Sequence, residues 1–157
     1  MATKSGVKVI EYNARLGDPE AMNVLSLLKT DLIDVFDHIV GGSLGSLPVE
    51  FEHKATVCKY VVPSGYPDSP EKGFKISCKN LDDKNLFFAA VKEKDGEVFA
   101  TGSRTAAYVG KEKTVAAAEE IAEEGVGSIS GHLFHRKDIG TKALIQKKID
   151  NMKKVRQ

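Results

Sequence analysis

Hydrophobic and polar positions divide the chain into a helical stretch and an alternating stretch, with a break near residue 45. The first apolar run, Val7 to Ile10, reads as a strand. Side chains alternate faces along a strand, so Glu11, Asn13 and Arg15 at its end point the same way. Asp18 then Pro19 reads as a helix start, with Asp as N-cap, Pro at N1 and Glu20 in the first turn. Leu25, Leu28, Leu32, Val35 or Phe36, and Ile39 recur at three- and four-residue spacing, predicting one amphipathic helix to about Val40. Gly41-Gly42 stops it.

Ser43 to Val49, with Gly45, Ser46 and Pro48, reads as a linker. Beyond it the spacing predicts strands near Ala55–Val61, over Leu86 to Lys92 and over Glu97 to Val109. Lys94-Asp95-Gly96 joins the last two as a hairpin, and Gly102 marks a bulge or a close backbone approach. Pro63 to Pro70 is a turn-rich loop. Thr114 opens a helix with Val115, Ala118, Ile121 and Ala122 as its stripe and Gly125 as its stop. A short apolar segment, Ile129 to Phe134, leads to a last amphipathic helix over about 138–154, with Ile139, Ala143, Leu144 and Ile149 inward. These elements make an α+β chain. The opening strand is an orphan, because an isolated edge is not stable. Its sheet is completed later in the chain or lies outside it.

Composition narrows the function classes. The chain has 157 residues, 41% hydrophobic and 29% charged, with formal net charge +1. That is room for one real core and no global field for nucleic acid or membrane. From Arg136 to Gln157 eight Lys/Arg oppose two Asp, a local +6. No aromatics interleave with these cations, so a solvated basic helix accounts for them better than a nucleic-acid surface. Cys58 and Cys78 stand far apart without a CxxC, which points to reduced thiols in the cytoplasm. No run is long enough to cross a membrane, and Met1 to Gly6 has no signal-peptide h-region.

The candidate chemistry lies at the end of the first strand. A carboxylate (Glu11), a carboxamide oxygen (Asn13) and a guanidinium (Arg15) on one face suit a magnesium–phosphate complex. The same trio also reads as a polar face beside a loop. His132 and His135 are three apart and lack a third ligand, which favours structural roles over a metal site.

The run Val9-Ile10-Glu11-Tyr12-Asn13-Ala14-Arg15-Leu16-Gly17-Asp18-Pro19-Glu20 resembles the metal-binding strand of the phosphoribosylamine–glycine ligase family of the ATP-grasp superfamily. That family has Phe where this chain has Tyr12 and Leu16. Ser64-Gly65-Tyr66-Pro67 resembles its Gly-Gly-Tyr-Pro, and Gly102-Ser103-Arg104 its Gly-Gly-Arg. Arg136-Lys137-Asp138-Ile139-Gly140 matches its Arg-Lys-Asp-Ile-Gly. The motifs stand in the family's order and cover most of the chain.

The resemblance implies a C-terminal piece of an ATP-grasp core (strand plus helix) over residues 1–45. A small antiparallel-sheet domain with flanking helices follows over 46–157. It implies ATP, glycine and 5-phosphoribosylamine as ligands, and Mg²⁺ or Mn²⁺ held by Glu11 and Asn13. Arg15 would be catalytic and steady the transferred phosphoryl or acyl phosphate. Asp18, Glu20 and Arg104 would face substrate, with helix capping the competing role for Asp18 and Glu20. The reaction implied joins glycine to the amine through glycyl phosphate, in purine synthesis. The ATP lid and the first part of the core would precede Met1, so the chain alone is expected to be inactive. The alternative is a non-catalytic module or a subunit completing a split enzyme.

Overall fold

The computed structural model describes residues 1–80 and 83–156. In chain order its elements are β1 (Ala2–Thr3), β2 (Gly6–Val7), α1 (Glu20–Leu25), α2 (Leu32–Val40), a 3-10 turn (Leu44–Ser46), β3 (Ala55–Pro63), β4 (Lys75–Cys78), β5 (Leu86–Phe88), β6 (Val91–Lys94), β7 (Glu97–Ala100), β8 (Ala106–Glu112), α3 (Val115–Gly127), β9 (Ile129–Ser130), β10 (Leu133–His135) and α4 (Lys142–Arg156). The α+β class read from the pattern holds, and the strand pairs are antiparallel.

The body is built on β3. It pairs with β8 from Ala55 opposite Glu112 to Val61 opposite Ala106, and with β10 on its other edge, in a sheet ordered β10-β3-β8-β5. Both faces of β3 are covered, and its residues alternate between them. On one face Val57 packs with Ala118 and Ala122 of α3, and Val61 with Ala106 and Val126. On the other, Cys58 packs with Ala107 and Val109, and Met22 of α1 lies against them. Strand β8 and helix α3 approach so closely at Gly110 that a Cβ there would strike the Ala118 carbonyl oxygen and come 2.7 Å from the Ala122 nitrogen. Only glycine fits. The N-cap at Thr114 is as expected, its hydroxyl accepting from the Ala117 N–H at 3.2 Å. Gly125 is not the stop; it lies inside α3, where a side chain would collide with the Tyr108 ring.

A second sheet is ordered β6-β7-β4-β9. The Asp95-Gly96 hairpin joins β6 to β7, both residues having positive φ as a tight turn requires. Each of the two long strands predicted around it is cut in half. The chain leaves the first sheet at Ala89-Ala90 and returns across residues 101–105. The crossings lie side by side, Ala89 N–H donating to Thr105 O and Ala90 N–H to Arg104 O. Gly102, at φ +104°, makes the return bend. Periodicity does not see such a crossing, because the residues alternate on both sides of it. Strand β4 was not anticipated.

The single helix expected from Pro19 to Val40 is two. Ser26 Oγ turns back to the Met22 carbonyl at 2.5 Å, and the backbone of 27–29 pairs with 50–52 instead of continuing the helix. Asp31 then caps α2, accepting from the Ile33 N–H at 2.8 Å. Leucine spacing that survives a break of this length mimics one continuous stripe. No residue of α1 or α2 is fully buried; of the alternatives Val35 and Phe36 it is Val35 that is half-buried, and Ile39, expected inward, is exposed.

The face of β3 toward α3 carries a buried ion network. Lys59 is 0% exposed, and its Nζ donates to Glu119 Oε1 and Glu123 Oε2, each at 2.6 Å, and to the Lys137 carbonyl at 3.2 Å. His135 Nε2 lies 3.1 Å from both Glu123 oxygens. Burial pushes the lysine down, yet the hydrogen bonds to Glu119 and Glu123 outweigh it and hold the ammonium above its ordinary range. The Lys59 hydrogen bond, with help from His135, holds Glu123 below the usual carboxylate value of 4.5. A depressed carboxylate contributes stability above its unfolded pKa and loses it as pH falls through the folded value. A raised lysine contributes below its unfolded pKa and loses it as pH rises past the folded value. Unfolding free energy from urea titrations is therefore expected to be flat between about 4.5 and 9.0 and to fall on both sides, the alkaline fall starting with the Cys58 thiol and Tyr60 phenol, both raised by burial, and steepening above 10.5 as Lys59 adds its share. A Lys59→Met chain should lose the steepening above 10.5 and keep the earlier part of the alkaline fall. An unchanged limb above 10.5 in that variant would remove the network as the cause of the steepening.

The Arg136–Gly140 motif continues from this network. Arg136 grips Asp138 with Nε at 3.0 Å and NH2 at 2.7 Å, and Ile139 packs on the Val57–Ala118–Ala122 cluster. Thr141 Oγ1 accepts from the Leu144 N–H at 3.3 Å, so the last helix begins at Lys142 rather than near Asp138. Helix α4 buries no residue fully, and Ile149, expected inward, is 45% exposed. Gln157, at the end of the basic tail, lies outside the described residues.

Candidate functional site

Residues 8–18 precede the body as an irregular, largely exposed segment. The strand expected from Val7 toward Arg15 is not formed. The backbone pairs only as the short β1–β2 hairpin, which closes with Lys8 N–H donating to the Met1 carbonyl at 2.9 Å. A strand needs a neighbouring edge, and among the described residues none lies beside 9–15. Tyr12 is 88% exposed, and Val9, Ile10 and Leu16 also face solvent.

Two of the three expected site residues still meet. Asn13 Nδ2 donates to Glu11 Oε1 at 3.2 Å. Arg15 is turned away, its NH1 donating to the Leu16 carbonyl at 3.0 Å. A carboxylate and a carboxamide are hard oxygen donors, the set a Mg²⁺ ion takes when phosphate and water fill its other positions. The Asn13 oxygen and nitrogen exchange by rotation of the amide, so the pair presents two oxygens to a cation without backbone movement. Among the described residues no group of three or more His, Cys, Asp or Glu side chains gathers to hold a metal unaided. His132 instead pairs with Glu71 at 2.9 Å and stacks on Phe74, and His135 belongs to the Lys59 network.

Asp18 and Arg104, 86 residues apart, are brought together. Arg104 NH2 donates to Asp18 Oδ2 at 2.9 Å and NH1 to the Asp18 carbonyl at 3.2 Å. Tyr60 Oη donates to Asp18 Oδ1 at 2.8 Å, and the Arg104 guanidinium lies 5.0 Å from the centre of the Tyr60 ring. Asp18 therefore caps no helix; the cap position of α1 falls on Pro19, which makes no side-chain bond. The Glu20 carboxylate folds back over Gly17. Tyr60 follows Lys59 on β3, so alternation sends one to the α3 face and the other to the α1 face. Burial, then the hydrogen bond to Asp18, pushes the Tyr60 phenol upward and keeps it a donor. Burial likewise pushes the neighbouring Cys58 thiol up to about 12, so it is no nucleophile. Cys58 and Cys78 are both free.

Tyr60 was missed from the sequence. It sits in a run that reads as ordinary strand, and nothing local separates a packing tyrosine from one holding a carboxylate 42 residues away. No helix among the described residues is long and apolar enough to cross a membrane.

Residues 56–142 match the family model described as phosphoribosylglycinamide synthetase, C domain. The phosphoribosylamine–glycine ligase of Methanosarcina barkeri is 54% identical over 154 residues, covering 98% of this chain and 36% of its own length. That of Methanocaldococcus jannaschii is 50% identical over 161 residues, covering 100% and 36%. The crystal structure of phosphoribosylamine–glycine ligase from Thermotoga maritima superposes with a TM-score of 0.65 at 32% identity, covering 83% of this chain and 33% of that one. The chain thus spans about a third of the length of the relatives it matches.

Proposed function

The chain belongs to the phosphoribosylglycinamide synthetase family, and from that premise we propose that it forms the C-terminal part of an ATP-dependent ligase joining glycine to 5-phosphoribosylamine in purine synthesis. The observation that carries this reading is the Glu11–Asn13 pair of oxygen donors, followed by Arg15 and anchored to the body at Asp18. In the proposal Glu11 and Asn13 would hold a Mg²⁺ or Mn²⁺ ion for the ATP-dependent step. When bound, such an ion neutralises charge on the phosphates. Arg15 is then the cation for the transferred phosphoryl group or the acyl phosphate, where a guanidinium matches two oxygens at once. Glu20 is proposed to face the amine-bearing substrate. Asp18 and Arg104 are candidates for the same substrate, but each spends its polar groups on the other, which favours a bracing role for the pair.

The division at about residue 45 belongs to the same proposal, residues 1–45 joining the ATP-grasp core and 46–157 forming the small domain. The exposed apolar residues Val9, Ile10, Tyr12 and Leu16, with Ile33 and Phe36 of α2, support a requirement for the rest of such an enzyme. They equally suit a module that completes a split ligase in trans.

The test is a chimera in which this chain replaces the matching 154 residues of the Methanosarcina barkeri ligase. It is expected to release ADP and phosphate only when glycine and 5-phosphoribosylamine are both present. The chain alone is expected to release neither. A folded chimera with no such turnover sinks the ligase reading, and turnover by the chain alone sinks the requirement for the remainder.

A further inference from the structure

The segment carrying Glu11, Asn13 and Arg15 has no backbone ladder to hold it. Among the described residues, the hydrogen bonds from 9–19 to the β3–β8 sheet all converge on Asp18. Three donors from two side chains take both carboxylate oxygens and the backbone carbonyl, and Arg104 is stacked over the ring of the other donor. Each partner is itself fixed. Tyr60 lies in the centre of β3, opposite Ala107. Arg104 follows the Gly102 bend, and its carbonyl accepts from the Ala90 N–H at 2.9 Å. A residue spans at most about 3.5 Å of extended chain, so three residues keep Arg15 within roughly 11 Å of this anchor, while Glu11 is free over more than twice that distance.

We infer that Tyr60, acting with Arg104 through Asp18, is a positioning residue that sets where Arg15 stands in the ligase reaction. Tyr60 touches no reacting atom in this scheme. It acts by holding Asp18, three residues from Arg15, against the sheet. The inference rests on the ligase reading for its meaning in catalysis, though not for the existence of the clamp.

Two measurements test it. In the chain itself, trypsin cleavage after Arg15 is timed by mass spectrometry, with cleavage after Lys8 as an internal control ten residues from the clamp. A protease must draw the residues around Arg15 into extended form, which the clamp resists. Tyr60→Phe keeps the ring and removes one oxygen, so the fold is preserved, as an unshifted thermal midpoint would verify. It is expected to speed cleavage at Arg15 by roughly threefold to tenfold, the worth of one hydrogen bond to a charged, partly exposed group, and to leave Lys8 unchanged. Arg104→Ala should do the same, and the double variant should add little. No acceleration at Arg15, or equal acceleration at Lys8, overturns the clamp.

In the chimera, Tyr60→Phe and Arg104→Ala should both lower kcat and leave the KM for 5-phosphoribosylamine in place. A rise in that KM with Arg104→Ala, and no effect of Tyr60→Phe, would make Arg104 a substrate ligand and overturn the positioning role. An inactive chimera beside an intact trypsin result fails the ligase reading alone.

Discussion

Lys59→Ala is expected to cost about 3 kcal/mol of folding stability, at the lower end of what removing one partner of a buried ion pair costs. The reason lies in what remains. Without the ammonium, Glu119 and Glu123 face each other across the groove it filled, and the Lys137 carbonyl loses its donor. The carboxylate side chains are 16% and 37% exposed, so water can reach them, which keeps the cost at the lower end. For a domain of this size the thermal midpoint should drop by about 6–12 °C. Differential scanning calorimetry checks this, and a midpoint within a degree or two of wild type would show that the network contributes nothing net. Lys59→Met should be milder, because it keeps the stem between Val57 and Val61 and removes only the charge.

The largest effect on activity is expected from Glu11→Ala in the chimera. In the proposed metal role, losing this carboxylate removes several kcal/mol of charge stabilisation at the phosphates, so turnover at saturating ATP should fall by about 10²- to 10³-fold. Stability should be untouched, since Glu11 is exposed and, among the described residues, its hydrogen bond is to Asn13. Raising the Mg²⁺ concentration should recover part of the loss. Near-normal turnover at ordinary Mg²⁺ would take Glu11 out of the metal site.

Much of the fold was legible because it is local. The β3 pattern, the Asp95-Gly96 turn, the Thr114 cap and the stripe of α3 at Ala118 and Ala122, though not at the exposed Val115, each follow from residues within a few positions of one another. The misreadings share a different origin. The strands 86–92 and 97–109 cross between sheets at Ala89-Ala90 and Gly102, and alternation continues through the crossing. The helix from Pro19 breaks at Ser26 because the backbone of 27–29 finds partners at 50–52. Gly125 looks like a helix stop but answers to the Tyr108 ring across the α3–β8 contact. Asp31 was a visible cap that the leucine spacing masked.

The sequence by itself determined the family and the chemistry available, through the run Glu11 to Glu20 and the motifs at Gly65, Gly102 and Arg136. Side-chain identity carries that information wherever the chain goes. It could not decide whether Glu11 to Arg15 formed a strand, since a strand exists only beside another edge. Nor could it pair Asp18 with Arg104 and Tyr60, which stand 86 and 42 residues away. Those contacts arise because β3 and β8 lie side by side, with Tyr60 on the face turned toward α1. Tertiary structure thus made Asp18 the anchor of the candidate site rather than a helix cap.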